Sequence, residues 1–193
     1  MPWEKNFNTD DALEKAMGIF WSRGYEATSM QDLVHGMGLN RGSIYDTFES
    51  KRALFIAALK RYDRKCRHAW LCDLENTHPP RKAIRRLFDE WLEVISHDSS
   101  RRGCFLTNTA LEVAAHDDEI GAIVADSQKE TEKFFYRVIK AGQKTGEIAP
   151  DLHAKDISRA LLAALIGLLV LARSRPERAL MRSIADGAMA QLR

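Results

Sequence analysis

Two short helical patterns that meet at a glycine-marked corner constrain this chain more than anything else in it. They occupy residues 28–51, TSMQDLVHGMGLNRGSIYDTFESK. Thr28 and Gln31 stand in the Thr-x-x-Gln spacing of a capping box, where each side chain satisfies an orphan amide at a helix start. Met30, Leu33, Val34 and Met37 follow at i, i+3, i+4, i+7, which puts four apolar groups on one face. Gly36 and Gly38 are expected to break this helix, and Asn40 to cap a second one with Ile44 and Phe48 turned inward. Arg41, Gly42, Ser43 and Tyr45 then face outward. That is the spacing of a helix-turn-helix, whose second helix sets its first turn in a DNA major groove. Short side chains at Gly42 and Ser43 let the backbone approach the bases, and Arg41 supplies a donor fork for them. Corners of this kind also occur in bundles that bind no nucleic acid.

The wording of the stretch goes further than its pattern. GLNRGSIYDTFESKRALF, preceded by a helix ending FWSRGYEATSM, resembles the N-terminal DNA-binding domain of the TetR/AcrR family of bacterial transcriptional regulators over about residues 9–62. The later part of the chain matches that family only in length and in its helical pattern. The resemblance implies a one-component repressor that binds a palindromic double-stranded DNA operator as a homodimer and is released by a small molecule. It also implies that Thr28, Arg41, Ser43, Tyr45 and Lys51 touch bases or phosphates, and Asn40 and Gly42 join them in the candidate DNA-reading set. Asp46 departs from the family pattern, in which His or Tyr is common, and no DNA contact is carried over to it.

At 193 residues, 45% of them hydrophobic, the chain has ample material for a core in one large or two small domains. The net charge of +2 is nearly neutral, so DNA binding needs a local patch. One exists at Arg41, Lys51, Arg52, Lys60, Arg61, Arg64, Lys65 and Arg67, although the Arg61–Arg67 run reads as a solvated helix face. The opening MPWEKNFNTDD carries charge where a signal peptide is apolar, so a cytoplasmic protein is expected. Cys66, Cys72 and Cys104 have no metal-ligand spacing, and neither a metal, a disulfide framework nor a cofactor is expected.

Along the chain, Leu13, Ala16, Met17 and Phe20 mark a first helix closed by Gly24. Ser50 caps a long fourth helix, read as one rigid rod leading away from the DNA-binding end. Pro80 suits the first turn of a fifth helix, a sixth runs from Cys104 to His116, and a seventh runs from an Asp117 cap to Thr145. The apolar run Ser158–Ala172 is shorter than the ~20 residues that span a bilayer, and no membrane is expected. Ser174 and Glu177 suggest a capping box for a last helix from Arg175 to Gln191. The architecture is therefore all-α with about nine helices: a three-helix DNA-binding domain over residues 1–50 and an effector-binding and dimerisation bundle over residues 51–193. Leu161, Leu162, Leu165, Ile166, Leu168 and Leu169 cover more of one helix than a single core can bury, so they are the expected dimer interface.

Trp70, Phe88, Trp91, Phe105 and Phe135 gather aromatic surface in helices four to seven, where a pocket and a core draw on the same residues. Asn108 and Glu112 add polar groups to that zone. Cys104 follows Arg101 and Arg102 at a helix start, the setting that lowers a thiol's pKa, so it is a candidate sensor of oxidants or electrophiles. These eight residues form the expected effector site. The alternative reading is a helical enzyme that uses Cys104, or Glu112 with His116, but no motif supplies the orienting partners that catalysis needs.

Overall fold

The computed structural model describes residues 7–193, so the charged opening MPWEKN lies outside the described residues. Among the described residues there are nine helices and no strand, when three consecutive segments, Lys51–Tyr62, Asp63–His68 and Ala69–Thr77, are taken as the single rod α4. The others are α1 (Thr9–Arg23), α2 (Met30–Met37), α3 (Arg41–Phe48), α5 (Pro80–His97), α6 (Phe105–Glu112), α7 (Asp118–Thr145), α8 (Ala154–Ser174) and α9 (Arg178–Ala190). Helices α1 and α3 pack on the first half of α4, with α2 held against α1 and α3, and α5, α7, α8 and α9 form the main bundle.

Each helix start is written in its capping residue. Asn8, Ser29, Asn40, Ser50 and Asp117 accept backbone amides with their side chains at the starts of α1, α2, α3, α4 and α7. The α2 cap differs from expectation by one residue. Ser29 and Asp32 make the reciprocal pair, while Thr28 is fully buried and its hydroxyl donates to Gly24 O at 2.6 Å. Gly38 alone ends α2, with φ of 70° in the left-handed region that glycine tolerates; Gly36 lies inside the helix.

Three other expectations need correction. The rod α4 is not uniform, because residues 63–68 form a π turn, a wider coil often found at functional sites. Helix α6 stops at Glu112 rather than His116: Val113 leaves helical geometry (φ −124°, ψ −31°), and a turn leads to the extended Asp117 (φ −144°) that caps α7. Helix α9 starts at Arg178: Pro176 forces Arg175 out of helical geometry, and the Ser174 hydroxyl turns back to Leu171 O instead of capping.

Helix α8, with 21 residues, is long and apolar enough to cross a membrane by length and composition, so shortness of the apolar run does not exclude that. About a third of that apolar stretch, 33%, is buried inside the subunit. Leu161, Leu165, Leu168 and Leu169 are buried in the subunit's own core, and Leu162 and Ile166 line an internal cavity. Leu161, Leu165, Leu168 and Leu169 are therefore core residues of the subunit, whereas Leu162 and Ile166 are half-buried. An outward stripe on α8 is made by the half-buried or exposed Ala160, Ala163, Gly167 and Val170, and α9 leaves Leu180, Ile184 and Gly187 half-buried or exposed. A helix with two apolar faces turns its bulkier side toward its own bundle, because larger side chains gain more from burial.

Candidate nucleic-acid interface and internal cavity

Helix α3 is held from below and open above. Ile44 is buried and Phe48 half-buried, while Arg41, Gly42 and Tyr45 are exposed and Ser43 is half-buried. Asn40 Oδ1 accepts the Ser43 amide at 2.8 Å, so Asn40 is occupied as the cap. The Arg41 guanidinium lies 5.6 Å from the Tyr45 ring centre, and its Nη2 is 3.5 Å from the Tyr45 hydroxyl. That contact pre-orders both side chains on the outer face. Lys51, the first residue of α4, holds its Nζ 4.3 Å from the centre of the Tyr25 ring, beside the amide-rich start of that helix.

Thr28 has no surface to offer DNA in this arrangement. The exposed hydroxyl at the start of α2 belongs to Ser29, and Ser29-x-x-Asp32 is as good a capping box in the sequence as Thr28-x-x-Gln31. Several cations of the expected patch are committed elsewhere. Arg61 is buried and donates to Glu14 (2.7 Å) and Asp10 (3.1 Å), tying α4 to α1. Arg67 donates to Asp63 at 2.5 Å, and Arg52 to Asp117 at 2.6 and 2.9 Å. Arg41 and Lys51 are left at the DNA-facing end.

A cavity of about 400 Å³ opens among α1, α4, α5, α6, α7 and α8, a volume typical of small-molecule sites. Of the eight expected effector residues, Trp70, Trp91 and Cys104 line it. Phe88 and Phe135 are fully buried and stack on each other with ring centres 6.5 Å apart, so they are core. Phe105 packs edge-on to Phe55 and Tyr62, and Asn108 Nδ2 donates to Arg102 O at 2.7 Å. Trp21, Tyr62, Cys66, Thr107, Ser127 and Gln128 line the cavity without having been expected there. Their helical spacing alone does not separate them from ordinary core residues.

Glu112 points the other way, out of the bundle and onto the DNA-binding end. Its carboxylate accepts the backbone amides of Tyr25 (3.2 Å) and Glu26 (2.9 Å) in the α1–α2 turn. The two ends of the molecule are joined further by Trp21 Nε1, which donates to Gly103 O at 2.9 Å, and by aromatic contacts running from Phe20 through Phe55 to Phe105. The Arg52 guanidinium holds the Asp117 carboxyl down to about 2. Helix α6 and the Cys104 that precedes it therefore line the cavity with Cys104, Leu106 and Thr107, and the same helix grips the helix-turn-helix with Glu112.

The catalytic alternative finds no assembled site. Glu112 is held by amides and His116 is exposed in the turn after α6. Cys104 is buried, with the Tyr62 hydroxyl donating to its sulfur at 3.7 Å. Arg102 stacks on Trp21 at 4.6 Å instead of facing the thiol. Burial pushes the Tyr62 hydroxyl well above its ordinary pKa, which keeps it protonated as the donor.

Comparison with known proteins agrees with this geometry. Residues 12–58 match the model of bacterial regulatory proteins of the tetR family, and residues 80–187 match the tetracyclin repressor-like C-terminal domain. The chain is 31% identical to the HTH-type transcriptional regulator YezE of Bacillus subtilis, over 88% of each chain. It is 29% identical to the HTH-type transcriptional repressor ComR of Escherichia coli, over 88% of this chain and 81% of that one. Among solved structures, a cysteine mutant of the TetR family regulator CifR in complex with a 26-base-pair operator superposes with a TM-score of 0.86, at 25% identity over the whole of both chains.

Proposed function

Since this chain belongs to the TetR family of bacterial regulatory proteins, we propose that it is a dimeric repressor acting in the cytoplasm, with a palindromic operator and a small-molecule effector that releases it. It is a helix-turn-helix transcriptional regulator and not an enzyme. The observation that carries the reading is the exposed Arg41–Tyr45 face of α3, capped by Asn40 and held on a rigid core, joined through α6 to a cavity of small-molecule size. Residues 1–50 serve as the DNA-binding unit and residues 51–193 as the effector and dimer unit. The dimer forms through the outward stripes of α8 and α9, which sets two α3 helices in successive major grooves about 34 to 36 Å apart.

In this arrangement Arg41 reads a base, most naturally guanine O6 and N7 through its fork, and Ser43, Tyr45 and Lys51 hold the backbone. Gly42 keeps the approach open. The effector weakens DNA binding by favouring an arrangement of α6 and α4 that misplaces the two heads. A gel shift with DNA from the protein's own promoter region tests the reading. Saturable, salt-sensitive binding of one dimer per palindrome is expected, and absence of binding by the wild type overturns it.

A further inference from the structure

Two hydroxyl-bearing residues on different helices line the cavity without an intramolecular hydrogen bond to either hydroxyl. Thr107 of α6 and Ser127 of α7 are only 8% and 5% exposed, both line the cavity, and neither side chain has a hydrogen-bond partner among the described residues. Thr131, one turn along α7 from Ser127, is satisfied: its hydroxyl donates to Ser127 O at 3.0 Å and accepts from Arg67 at 3.3 Å. Hydroxyls at a cavity wall are left to water, and a guest oxygen placed there takes over that hydrogen bond.

The rest of the wall selects the kind of guest. Trp70 and Trp91 meet edge to face with ring centres 6.0 Å apart, and Trp21 and Tyr62 do the same at 5.1 Å. The two aromatic corners present flat faces and edges for ring stacking. The charged groups on the wall are already matched: Arg67 with Asp63, and Glu90 with Arg86 at 2.9 Å and with the Trp70 indole. A charged guest would lose its hydration without finding a free counter-charge.

We infer that the cavity takes a neutral aromatic molecule of about two or three fused rings bearing a hydroxyl or carbonyl oxygen, a size suited to sites of this volume. Its rings lie between the aromatic corners and its oxygen bonds to Thr107 and Ser127. The inference rests on reading the cavity as the effector site. It also gives that site a lever, because Thr107 shares α6 with Glu112, which holds the α1–α2 turn.

Equilibrium dialysis of the full-length protein against 2-naphthol, naphthalene, 2-naphthoate and 2-naphthyltrimethylammonium tests this, with operator binding followed in the same buffer. The expected result is that 2-naphthol binds about 3- to 10-fold more tightly than naphthalene, the worth of a neutral hydrogen bond, and that both ions bind more weakly than either neutral compound. Thr107→Val and Ser127→Ala should each shrink the 2-naphthol advantage and together remove it, with naphthalene affinity held within about twofold as the internal control for an intact cavity. The inference is overturned by equal binding of 2-naphthol and naphthalene to the wild type, by an ion binding tightest, by an advantage that survives both substitutions, or by no binding of any of the four. The wild-type comparison stands without either variant. If 2-naphthol binds as described yet leaves the operator complex intact, the effector reading fails while the ligand class holds.

Discussion

The contact between Glu112 and the α1–α2 turn makes a sharp thermodynamic prediction, because its geometry couples two positions 88 residues apart. Gly24 has φ of 86° and ψ of 171°, a region open essentially to glycine alone, and forcing another residue there costs about 1 to 3 kcal/mol. A Cβ on Gly24 would also lie 2.7 Å from both carboxylate oxygens of Glu112. Gly24→Ala therefore strains the backbone and drives the carboxylate off the two amides it accepts. Losing those two part-exposed hydrogen bonds costs about a further 1 to 2 kcal/mol. Glu112→Ala removes the same two bonds and nothing else of consequence. In the double variant the bonds can be lost only once, so it should be no less stable than Gly24→Ala alone, giving a coupling of about 1 to 2 kcal/mol. Urea denaturation at fixed protein concentration, since a dimer's stability depends on concentration, reads all four corners of the cycle. If the double variant falls by the full sum of the two single losses, the contact does not exist as described.

Operator binding across a salt series separates the roles of two cations: Arg41→Ala should cost about 1 to 3 kcal/mol per half-site and relax preference at one base. Lys51→Ala should weaken all DNA alike and flatten the salt slope by about one unit per contact; equal loss on every sequence for Arg41→Ala would make it a backbone contact. Gly167→Arg, on the outward face of α8, should yield folded monomers in sedimentation, whereas Leu165→Glu, buried in the core, should unfold the subunit; a folded monomer from Leu165→Glu would refute that assignment. Because the Asp117 carboxyl is held at about 2 in the folded chain by Arg52, below its unfolded value, its contribution is present above about pH 4 and is lost as pH falls toward 2. The gap in urea midpoint between wild type and Asp117→Asn should thus be constant above about pH 5 and close with acid; a gap that widens with acid would be the wrong sign.

Local chemistry carried most of what was legible in the sequence. Asn40, Ser50 and Asp117 each bond an amide three residues on, so the starts of α3, α4 and α7 required no knowledge of the rest of the molecule. The outward face of α3 followed from Ile44 and Phe48 in the same way. The misses share a different cause. Ser29 and Thr28 head equally good local boxes, and only the packing that buried Thr28 chose between them. Periodicity found the aromatic residues of the bundle but not which of them met across a gap: Phe88 and Phe135 stack face to face in the core while Trp21, 41 residues before Tyr62, closes the cavity. Likewise α8 announced two apolar faces, and the neighbours α7 and α9 decided which one turned inward. Glu112 is the clearest case, since its partners are backbone amides of a turn that any sequence would carry. Capping and helical period act within a few residues, where order along the chain is order in space; cavities, interfaces and a carboxylate reaching a distant turn depend on which helices come side by side, and only the folded packing sets that.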